Sequence, residues 1–336
     1  MSIPEGALWV RMPRFIGDAM MITQAVSPLR ALGHSLVAWG PPPIMDLFEG
    51  SATFAAAVPD AGKPGALPMA RLLRTHRAGG VINLPRSTRG LLAGALARTP
   101  IRAGWSESGG RFLASHSIPF KGREDHQLDR YRDVLRRAFP AVSASDPEPF
   151  RPRAAAMDQA DLLLRGLGVE GPFVGLGLSA AAAVKRLGTG IWVEVIGRLR
   201  AQGVPHVMLG GNHHEDLEQA EALRGVFPGI PDLCGKTSLA VSAALVARAA
   251  AVAGNDSGLS HIVAASHVPL VAVFGPTRPT LTAPQGPRVV ILRNDPVPCL
   301  GCLRLGCPVP GHPCMDAMDA GAVSQALEGL LEGTSY

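Results

Sequence analysis

Residues 256–261 bring an acid, a hydroxyl, a flexible glycine and an imidazole within six positions, in the stretch GNDSGLSHIVAA. The four residues are Asp256, Ser257, Gly258 and His261. The stretch lies between an apolar run and a helical pattern, and free backbone N–H groups at such a helix start bind anions such as phosphate. Ordinary capping, with Asp256 or Ser257 as the N-cap and His261 at the surface, explains the same spacing equally well.

A second stretch of this kind, FIGDAMM, follows the first apolar run of the chain. We expect Gly17 to give a tight turn and Asp18 to project from the start of the next helix, where a carboxylate can act as a general base. The helix dipole stabilises a carboxylate at that place, so a lowered pKa is expected for Asp18. An acid that only complements the dipole is the alternative interpretation.

A lysine follows the apolar run FVGLGLS, in the stretch SAAAAVKRLG. Lys185 comes after a strand end, where its ammonium group can neutralise a diphosphate leaving group. The alternative is an exposed basic pair, Lys185 and Arg186, at a helix start. That arrangement is less favourable because it opposes the helix dipole.

Four of the five cysteines form the pattern C-x2-C-x4-C-x6-C in segment 299–314: Cys299, Cys302, Cys307 and Cys314. In a reducing compartment such a cluster favours zinc over disulfides, so the pattern predicts a candidate structural zinc site. The spacing differs from the standard zinc patterns, and a reduced thiol-rich loop is the competing interpretation. Cys234 lies apart and is expected to pack as a small apolar residue.

The elements that would position these residues alternate between short apolar strands and helices. The predicted strands are ALWVRM, SLVAWG and GGVINLP in the first half, and FVGLGLS, HVMLGG, AAVAG and LVAVFG in the second. This alternation favours an α/β fold with parallel sheets. Pro28 is expected to kink or divide the first helix. Ligands of such sheets bind at the carboxyl ends of strands, where Asp18, Lys185 and Asp256 all fall.

A chain of 336 residues favours two domains, and residues 141–155, rich in proline and small residues, are expected to link them. We therefore predict one domain of residues 1–150 and another of residues 151–336. Residues 1–165 hold 21 Lys and Arg against 14 Asp and Glu, a net charge of +7, whereas residues 166–336 carry −2. A basic first half suits an anionic partner, although an arginine-rich solvated surface explains it equally well.

The sequence predicts a cytoplasmic protein. Its start, MSIPEGALWVRMPR, has an early acid and lacks the long apolar core of a signal peptide. The longest apolar run, residues 239–254, is interrupted by Arg248 and is too short to span a membrane. Peripheral contact with the inner membrane remains compatible with these features.

In this order the motifs resemble glycosyltransferase family 9, the lipopolysaccharide heptosyltransferases, along nearly the whole chain. The stretches that carry the resemblance are RMPRFIGDAMMITQAVSPLRALG, VKRLGTGIWVEVIGRLRAQG, HVMLGGNHHEDLEQA, LCGKTSLAVSAALVARA, GNDSGLSHIVAASHVPLVAVFGPTRP and CLGCLRLGCPVPGHPCM. The last stretch is similar to that of heptosyltransferase II members in particular.

The resemblance implies a GT-B fold, in which two Rossmann-like domains with parallel sheets face a central cleft. It implies an inverting, metal-independent transfer of heptose from ADP-L-glycero-D-manno-heptose to the inner core of lipopolysaccharide. Residues 1–150 would bind the Kdo/heptose–lipid A acceptor, and residues 151–336 the sugar nucleotide. No cofactor is required, and no nucleic acid partner is expected.

The resemblance also implies roles for single residues. Asp18 matches the catalytic base of the family's GD motif, Lys185 matches the lysine at the donor phosphates, and Glu215 falls near the nucleoside. The full set of candidate donor-binding residues is Gly17, Ser179, Lys185, Glu215, Asp256, Ser257, Gly258 and His261. The candidate acceptor-binding residues, chosen because a basic first domain would face an acidic acceptor, are Arg86, Arg89, Arg102 and Arg111.

Other functions compete with this hypothesis. A family member could use another sugar nucleotide, or the chain could be a catalytically weak glycan-binding or assembly protein. A nucleotide-sugar epimerase on a similar two-domain fold would need further acid and base residues, which the sequence does not offer. A zinc-dependent interaction module would instead depend on the cysteine segment 299–314.

Overall fold

The computed structural model describes residues 3–60, 62, 64–120, 124–142 and 147–332. The chain divides into two compact units, Met1–Ala154 and Ala155–Tyr336. Each unit contains one parallel sheet with helices, which confirms the predicted α/β class.

The first unit is built on six strands. They are β1 (Leu8–Arg11), β2 (Leu36–Gly40), β3 (Ala56–Pro59), β4 (Gly80–Asn83), β5 (Ile101–Trp105) and β6 (His116–Ile118). Its helices are α1 (Ile16–Val26), α2 (Pro28–Ala31), α3 (Pro42–Phe48), α4 (Ala66–Thr75), α5 (Arg89–Ala97), α6 (Gly110–Leu113) and α7 (Gln127–Ala138). The strand order is β3-β2-β1-β4-β5-β6, so the loops after β1, β4 and β5 meet at one edge of the sheet.

The second unit is built on five strands. They are β7 (Val174–Gly177), β8 (His206–Leu209), β9 (Ala251–Asn255), β10 (Leu270–Val273) and β11 (Val289–Leu292), in the order β11-β10-β9-β7-β8. Its helices are α8 (Ala154–Gly166), α9 (Thr189–Ala201), α10 (His214–Val226), α11 (Leu239–Arg248), α12 (Gly258–Ala265), α13 (Pro279–Thr282), α14 (Pro313–Asp316) and α15 (Ala320–Leu331). A short 3-10 helix spans Ala183–Lys185.

The seven strands predicted from apolar runs are all present. The sequence pattern did not predict four strands, β3, β5, β6 and β11. Of these, β3, β6 and β11 lie at sheet edges, and all the residues of β6 and β11 are half-buried. Such strands lack the continuous apolar run of a central parallel strand, so their sequences carry a weaker signal. In contrast, every residue of β7 and β9 is buried.

The parallel register of the second sheet brings the ends of three strands together. Gly177 at the end of β7 pairs with Gly254 of β9, and Asn255 pairs with Val273 at the end of β10. A Cβ atom on Gly254 would lie 3.2 Å from the carbonyl oxygen of Gly177, so glycine permits this close approach. The loops that follow β7, β9 and β10 therefore start from adjacent points.

All four tryptophans are buried. Trp9 and Trp39 lie on the neighbouring strands β1 and β2, with their rings in an edge-to-face contact at 6.0 Å between centroids. Trp105 ends β5 and is 4% exposed. Trp192, on α9, belongs to the core of the second unit.

Two boundaries predicted from proline and composition can be compared with the structure. Helix α1 ends at Val26 and α2 begins at Pro28, so the proline divides the helix as predicted. The first unit ends at Ala154, four residues beyond the predicted boundary, and Arg153 forms ion pairs with Asp46 and Glu49 of that unit. Residues 143–146 of the predicted linker lie outside the described residues.

Within the part of the chain that the structure describes, no helix has both the length and the apolar character that crossing a membrane requires.

The loop before β11 packs tightly against α12. A Cβ atom on Gly286 would lie 2.6 Å from the carbonyl oxygen of Ala264, whereas one on Gly197 of α9 would meet no atom within 4 Å. We expect Gly286→Ala to lower the free energy of unfolding by about 1–3 kcal/mol, because the backbone must shift. Gly197→Ala should raise it by up to about 1 kcal/mol, because alanine favours a helix interior. Urea unfolding of both variants tests this, and equal effects would contradict it.

Candidate functional site

The turn between β9 and α12 holds the residues of the GNDSG stretch. Ser257 is the N-cap of α12, and its Oγ accepts a hydrogen bond of 3.5 Å from the backbone N–H of Ser260. The capping interpretation of Ser257 is therefore confirmed. Capping satisfies only one of the amides that a helix start leaves without intrahelical partners, so it does not preclude an anion at the others. Gly258 is the first residue of the helix.

Two polar residues of this turn are buried. Asp256 and His261 are each only 5% exposed. The alternative that placed His261 at the surface is wrong, because residues 260–265 of α12 are all buried in the second unit. The His261 imidazole is therefore buried and does not face solvent.

Lys185 and Asp256, 71 residues apart in sequence, form an ion pair at the ends of β7 and β9. The Nζ of Lys185 donates to Oδ2 of Asp256 at 2.6 Å, and the two side chains are 25% and 7% exposed. The partly exposed ammonium group has three N–H donors and uses one of them here. A cation is thus held by a buried carboxylate beside the start of α12.

Asn255 connects the segments that flank this ion pair. Its side chain is fully buried, and its Oδ1 accepts from the backbone N–H of Leu187 at 2.9 Å. Its Nδ2 donates to the carbonyl oxygens of Leu178 and Ser179 at 3.1 and 3.2 Å. The sequence analysis missed Asn255, although an amide at the end of a fully buried strand signals a polar side chain with a structural task.

A second buried ion pair lies next to the first. Arg186 contacts Asp216 of α10 at 2.7 Å, and the Asp216 side chain is fully buried. The backbone N–H of Gly211 donates to both Asp216 Oδ2, at 2.9 Å, and Ser179 Oγ, at 3.0 Å. The interpretation of Lys185 and Arg186 as an exposed basic pair is therefore wrong, because each has a carboxylate partner.

Glu215 and Asp216 are neighbours in the first turn of α10 with opposite surroundings. Glu215, the predicted nucleoside contact, is exposed, whereas Asp216 faces Arg186 in the interior. The sequence analysis did not select Asp216. The signal that could have found it is the helical phase, since Asp216, Gln219 and Ala220 share the buried face of α10.

In the first unit, Asp18 lies in the first turn of α1 and is half-buried. Gly17 is the second helical residue rather than part of a tight turn, because the helix begins at Ile16. The Tyr131 hydroxyl lies 3.5 Å from Asp18 Oδ1 and donates to it, since α7 packs against α1.

Burial raises the pKa of Asp18 above its ordinary value, and the hydrogen bond from Tyr131 partly offsets this effect. The predicted lowering of the pKa of Asp18 is therefore wrong. Removal of water from around the carboxylate outweighs the stabilisation that the hydrogen bond supplies. A carboxylate with a raised pKa is a stronger base than an ordinary one.

The four predicted acceptor arginines divide into two groups. Arg86, Arg89 and Arg111 are exposed, and they belong to the segments after β4 and β5. Arg102 is different, because its guanidinium donates to the carbonyl oxygens of Leu113, at 2.6 Å, and Thr99. These bonds use two of its N–H donors, so Arg102 stabilises this edge of the unit.

The four cysteines of segment 299–314 differ in their exposure. Cys299, Cys302 and Cys307 are exposed, whereas Cys314 is buried in α14. Burial, together with the three other thiols, raises the pKa of Cys314 to about 11. No group of three or more His, Cys, Asp or Glu is placed to hold a metal ion in the described ranges. The zinc site at these cysteines therefore stays a prediction. Cys234 is 2% exposed, as expected for a small apolar residue.

The comparison with known protein families decides the class of the protein. Residues 67–312 match glycosyltransferase family 9 (heptosyltransferase). The chain belongs to this family. The protein is thus a glycosyltransferase, and the resemblance inferred from the motifs is confirmed. The matched residues include Lys185 and Asp256 but begin after Asp18.

Single relatives give the extent of the similarity. The chain is 26% identical to lipopolysaccharide heptosyltransferase 2 of Salmonella typhimurium over 303 residues, which are 84% of this chain and 86% of the relative. It is 47% identical to lipooligosaccharide heptosyltransferase 2 of Haemophilus influenzae over 62 residues, so that match spans only 18% of either chain.

The fold also matches a solved structure. The Escherichia coli ADP-heptose lipopolysaccharide heptosyltransferase II superposes with a TM-score of 0.79 at 21% identity, covering 97% of this chain and 98% of that one. The predicted GT-B fold is confirmed by this similarity and by the two parallel sheets.

The neighbours Asp216 and Glu215 give a matched test of the buried network. We expect Asp216→Ala to lower the free energy of unfolding by about 3–5 kcal/mol, because it leaves the Arg186 guanidinium without its buried partner. Glu215→Ala should change it by less than about 0.5 kcal/mol, because the side chain is exposed. Urea unfolding of both variants measures the difference, and similar losses would contradict the assignment.

Proposed function

We propose that this family 9 enzyme is an inverting transferase that moves heptose from ADP-L-glycero-D-manno-heptose to the inner core of lipopolysaccharide. The observation that carries the proposal is the Lys185–Asp256 ion pair at the start of α12. The relatives from Salmonella typhimurium and Haemophilus influenzae are both heptosyltransferases, which supports heptose as the sugar. The matching Escherichia coli structure is of an ADP-heptose enzyme, which supports the donor.

The start of α12 is proposed to bind the donor diphosphate. Amides of the first turn, beginning with Gly258, and the positive end of the helix dipole favour negative charge there. Lys185 adds a full positive charge while Asp256 holds its ammonium group in place. As the bond from the anomeric carbon to the diphosphate oxygen breaks, these groups stabilise the charge on the departing ADP. The proposed chemistry assigns this task to Lys185 and the amides, and so requires no metal.

The nucleoside half of the donor is proposed to lie at the ends of β7 and β8. Ser179 follows β7, and Glu215 lies in the first turn of α10, the helix after β8. The exposed carboxylate of Glu215 can accept hydrogen bonds from ribose hydroxyls. The buried pair Arg186–Asp216 and the Gly211 amide fix the backbone around these two residues.

Asp18 is proposed to be the general base. It takes the proton from an acceptor hydroxyl as the oxygen bonds to the anomeric carbon, opposite to the departing ADP, so the configuration inverts. Its burial, which raises the pKa of the carboxyl, suits this role. The exposed Arg86, Arg89 and Arg111 are proposed to bind an anionic acceptor. We expect peripheral contact with the inner membrane while the lipid-linked acceptor is bound.

Replacement of the base gives the first test. Asp18→Asn should lower acceptor-dependent ADP release from ADP-heptose by at least about 100-fold, because the amide cannot take the proton. The affinity for ADP, measured by calorimetry, should not change. Unaltered turnover in Asp18→Asn would contradict the assignment, and absence of ADP release by the wild type would favour a glycan-binding protein.

The raised pKa of Asp18 predicts a pH dependence. The base works only when it is ionised, so the rate should fall as the pH drops through the folded-state pKa of Asp18. Because burial raises that pKa, the acid limb of kcat should lie at higher pH than an ordinary aspartate gives. Steady-state kinetics of the wild type from pH 4 to 9 measure the acid limb of kcat. An acid limb at the pKa of an ordinary aspartate would contradict the prediction.

Removal of the cation tests the donor site. Lys185→Gln keeps a hydrogen-bond donor for Asp256 but removes the charge, so we expect kcat/KM for the donor to fall by about 100-fold. Lys236→Gln is the matched control, because Lys236 pairs with Asp232 elsewhere in the second unit. Equal losses in both variants would contradict the role of Lys185. Activity should persist in EDTA, and its loss would contradict metal-independent transfer.

A further inference from the structure

We propose that Tyr131 is the positioning residue for Asp18, holding Oδ1 with its hydroxyl so that Oδ2 is the oxygen that takes the acceptor proton. This inference rests on the proposed role of Asp18 as the base. The family match and the sequence motifs do not assign a role to Tyr131, which lies 113 residues from Asp18 in sequence.

The contact joins two buried surfaces of the first unit. Tyr131 is 4% exposed on the face of α7 that packs against α1, and its hydroxyl lies 3.5 Å from Asp18 Oδ1. A buried phenol requires a polar partner for its hydroxyl. The carboxylate accepts and the hydroxyl donates, because burial and the nearby Asp18 charge both raise the pKa of Tyr131 far above its ordinary value.

The ring of Tyr131 is fixed from its other side. It lies against Trp105, with 6.4 Å between the ring centroids. Trp105 is itself held by a hydrogen bond of 2.6 Å from its Nε1 to the carbonyl oxygen of Leu84 and by an edge contact with Phe120. A functional group is placed accurately when the side chain that orients it is locked by packing. Tyr131 can therefore fix the carboxylate of Asp18 in one orientation.

The same hydrogen bond adjusts the basicity of Asp18. Burial favours the neutral carboxyl, and a donor to the ionised form opposes this. Tyr131 acts on Asp18, and Gln127 and Arg130 of α7 act on the Tyr131 hydroxyl. Without the phenol, the carboxylate would keep its desolvation and lose its donor, so its pKa would rise further.

Tyr131→Phe in the full chain tests the proposal. We expect kcat to fall about tenfold, with little change in KM for the acceptor, because orientation acts on the chemical step. The acid limb of kcat should move to higher pH, since the ionised base has lost a stabilising donor. The carboxyl ¹³C signal of Asp18, assigned by its absence in Asp18→Asn, should titrate at correspondingly higher pH.

Val134→Ala is the matched control, because Val134 is fully buried on the same helix and carries no polar group. It should lower the thermal stability while leaving the acid limb in place. The inference would be overturned if the acid limb of kcat kept its wild-type pH in Tyr131→Phe, or if it moved by the same amount in Val134→Ala. Failure of the proposed function looks different: Asp18→Asn would then remain active, whatever the ¹³C titration of Asp18 shows.

Discussion

The second unit depends on one buried amide. Three chain segments end at the carboxyl edge of its sheet, and their backbone N–H and C=O groups need partners away from water. Asn255 supplies both a donor and an acceptor, and so it holds Leu178, Ser179 and Leu187 at once. An apolar side chain would leave these groups unsatisfied, and a carboxylate could not donate. The contact between Lys185 and Asp256 follows from this constraint. Asn255 binds the backbone at Leu187, two residues after the lysine, and so holds Lys185 beside Asp256, the residue that follows Asn255.

Each unit has an aspartate at or near the start of a helix, but the two aspartates differ in their electrostatic surroundings. In each unit, an aspartate follows a central parallel strand at or near the start of a helix. Asp256 has a cation as its partner, which makes it a buried counter-ion. Asp18 has a neutral phenol as its partner, and removal of water then governs its affinity for protons. The partner side chain therefore decides the role of each carboxylate: Lys185 makes Asp256 a counter-ion, whereas Tyr131 leaves Asp18 able to act as a base.

The sequence predicted much of the fold, because buried parallel strands leave continuous apolar runs and turns leave glycine and proline. It also predicted which stretches hold polar residues at strand ends. It did not predict their partners, since the pairing of Lys185 with Asp256 depends on strand order over 71 residues. The sign of the pKa shift of Asp18 depends on the packing of α7, which local spacing does not contain. Arg102 and Arg86 look alike in sequence, and only the structure shows that one guanidinium is committed to carbonyl oxygens.

The placement of the tryptophans makes the intrinsic fluorescence of the protein report unequally on its two units. Trp9, Trp39 and Trp105 lie in the first unit, and Trp192 is the one tryptophan of the second. Since all four indoles are buried, each loses its shielded environment only when its own unit opens. An emission spectrum recorded during denaturation therefore reports mainly on the first unit. Removing Trp192 would leave a tryptophan emission that comes from the unit containing Asp18 alone.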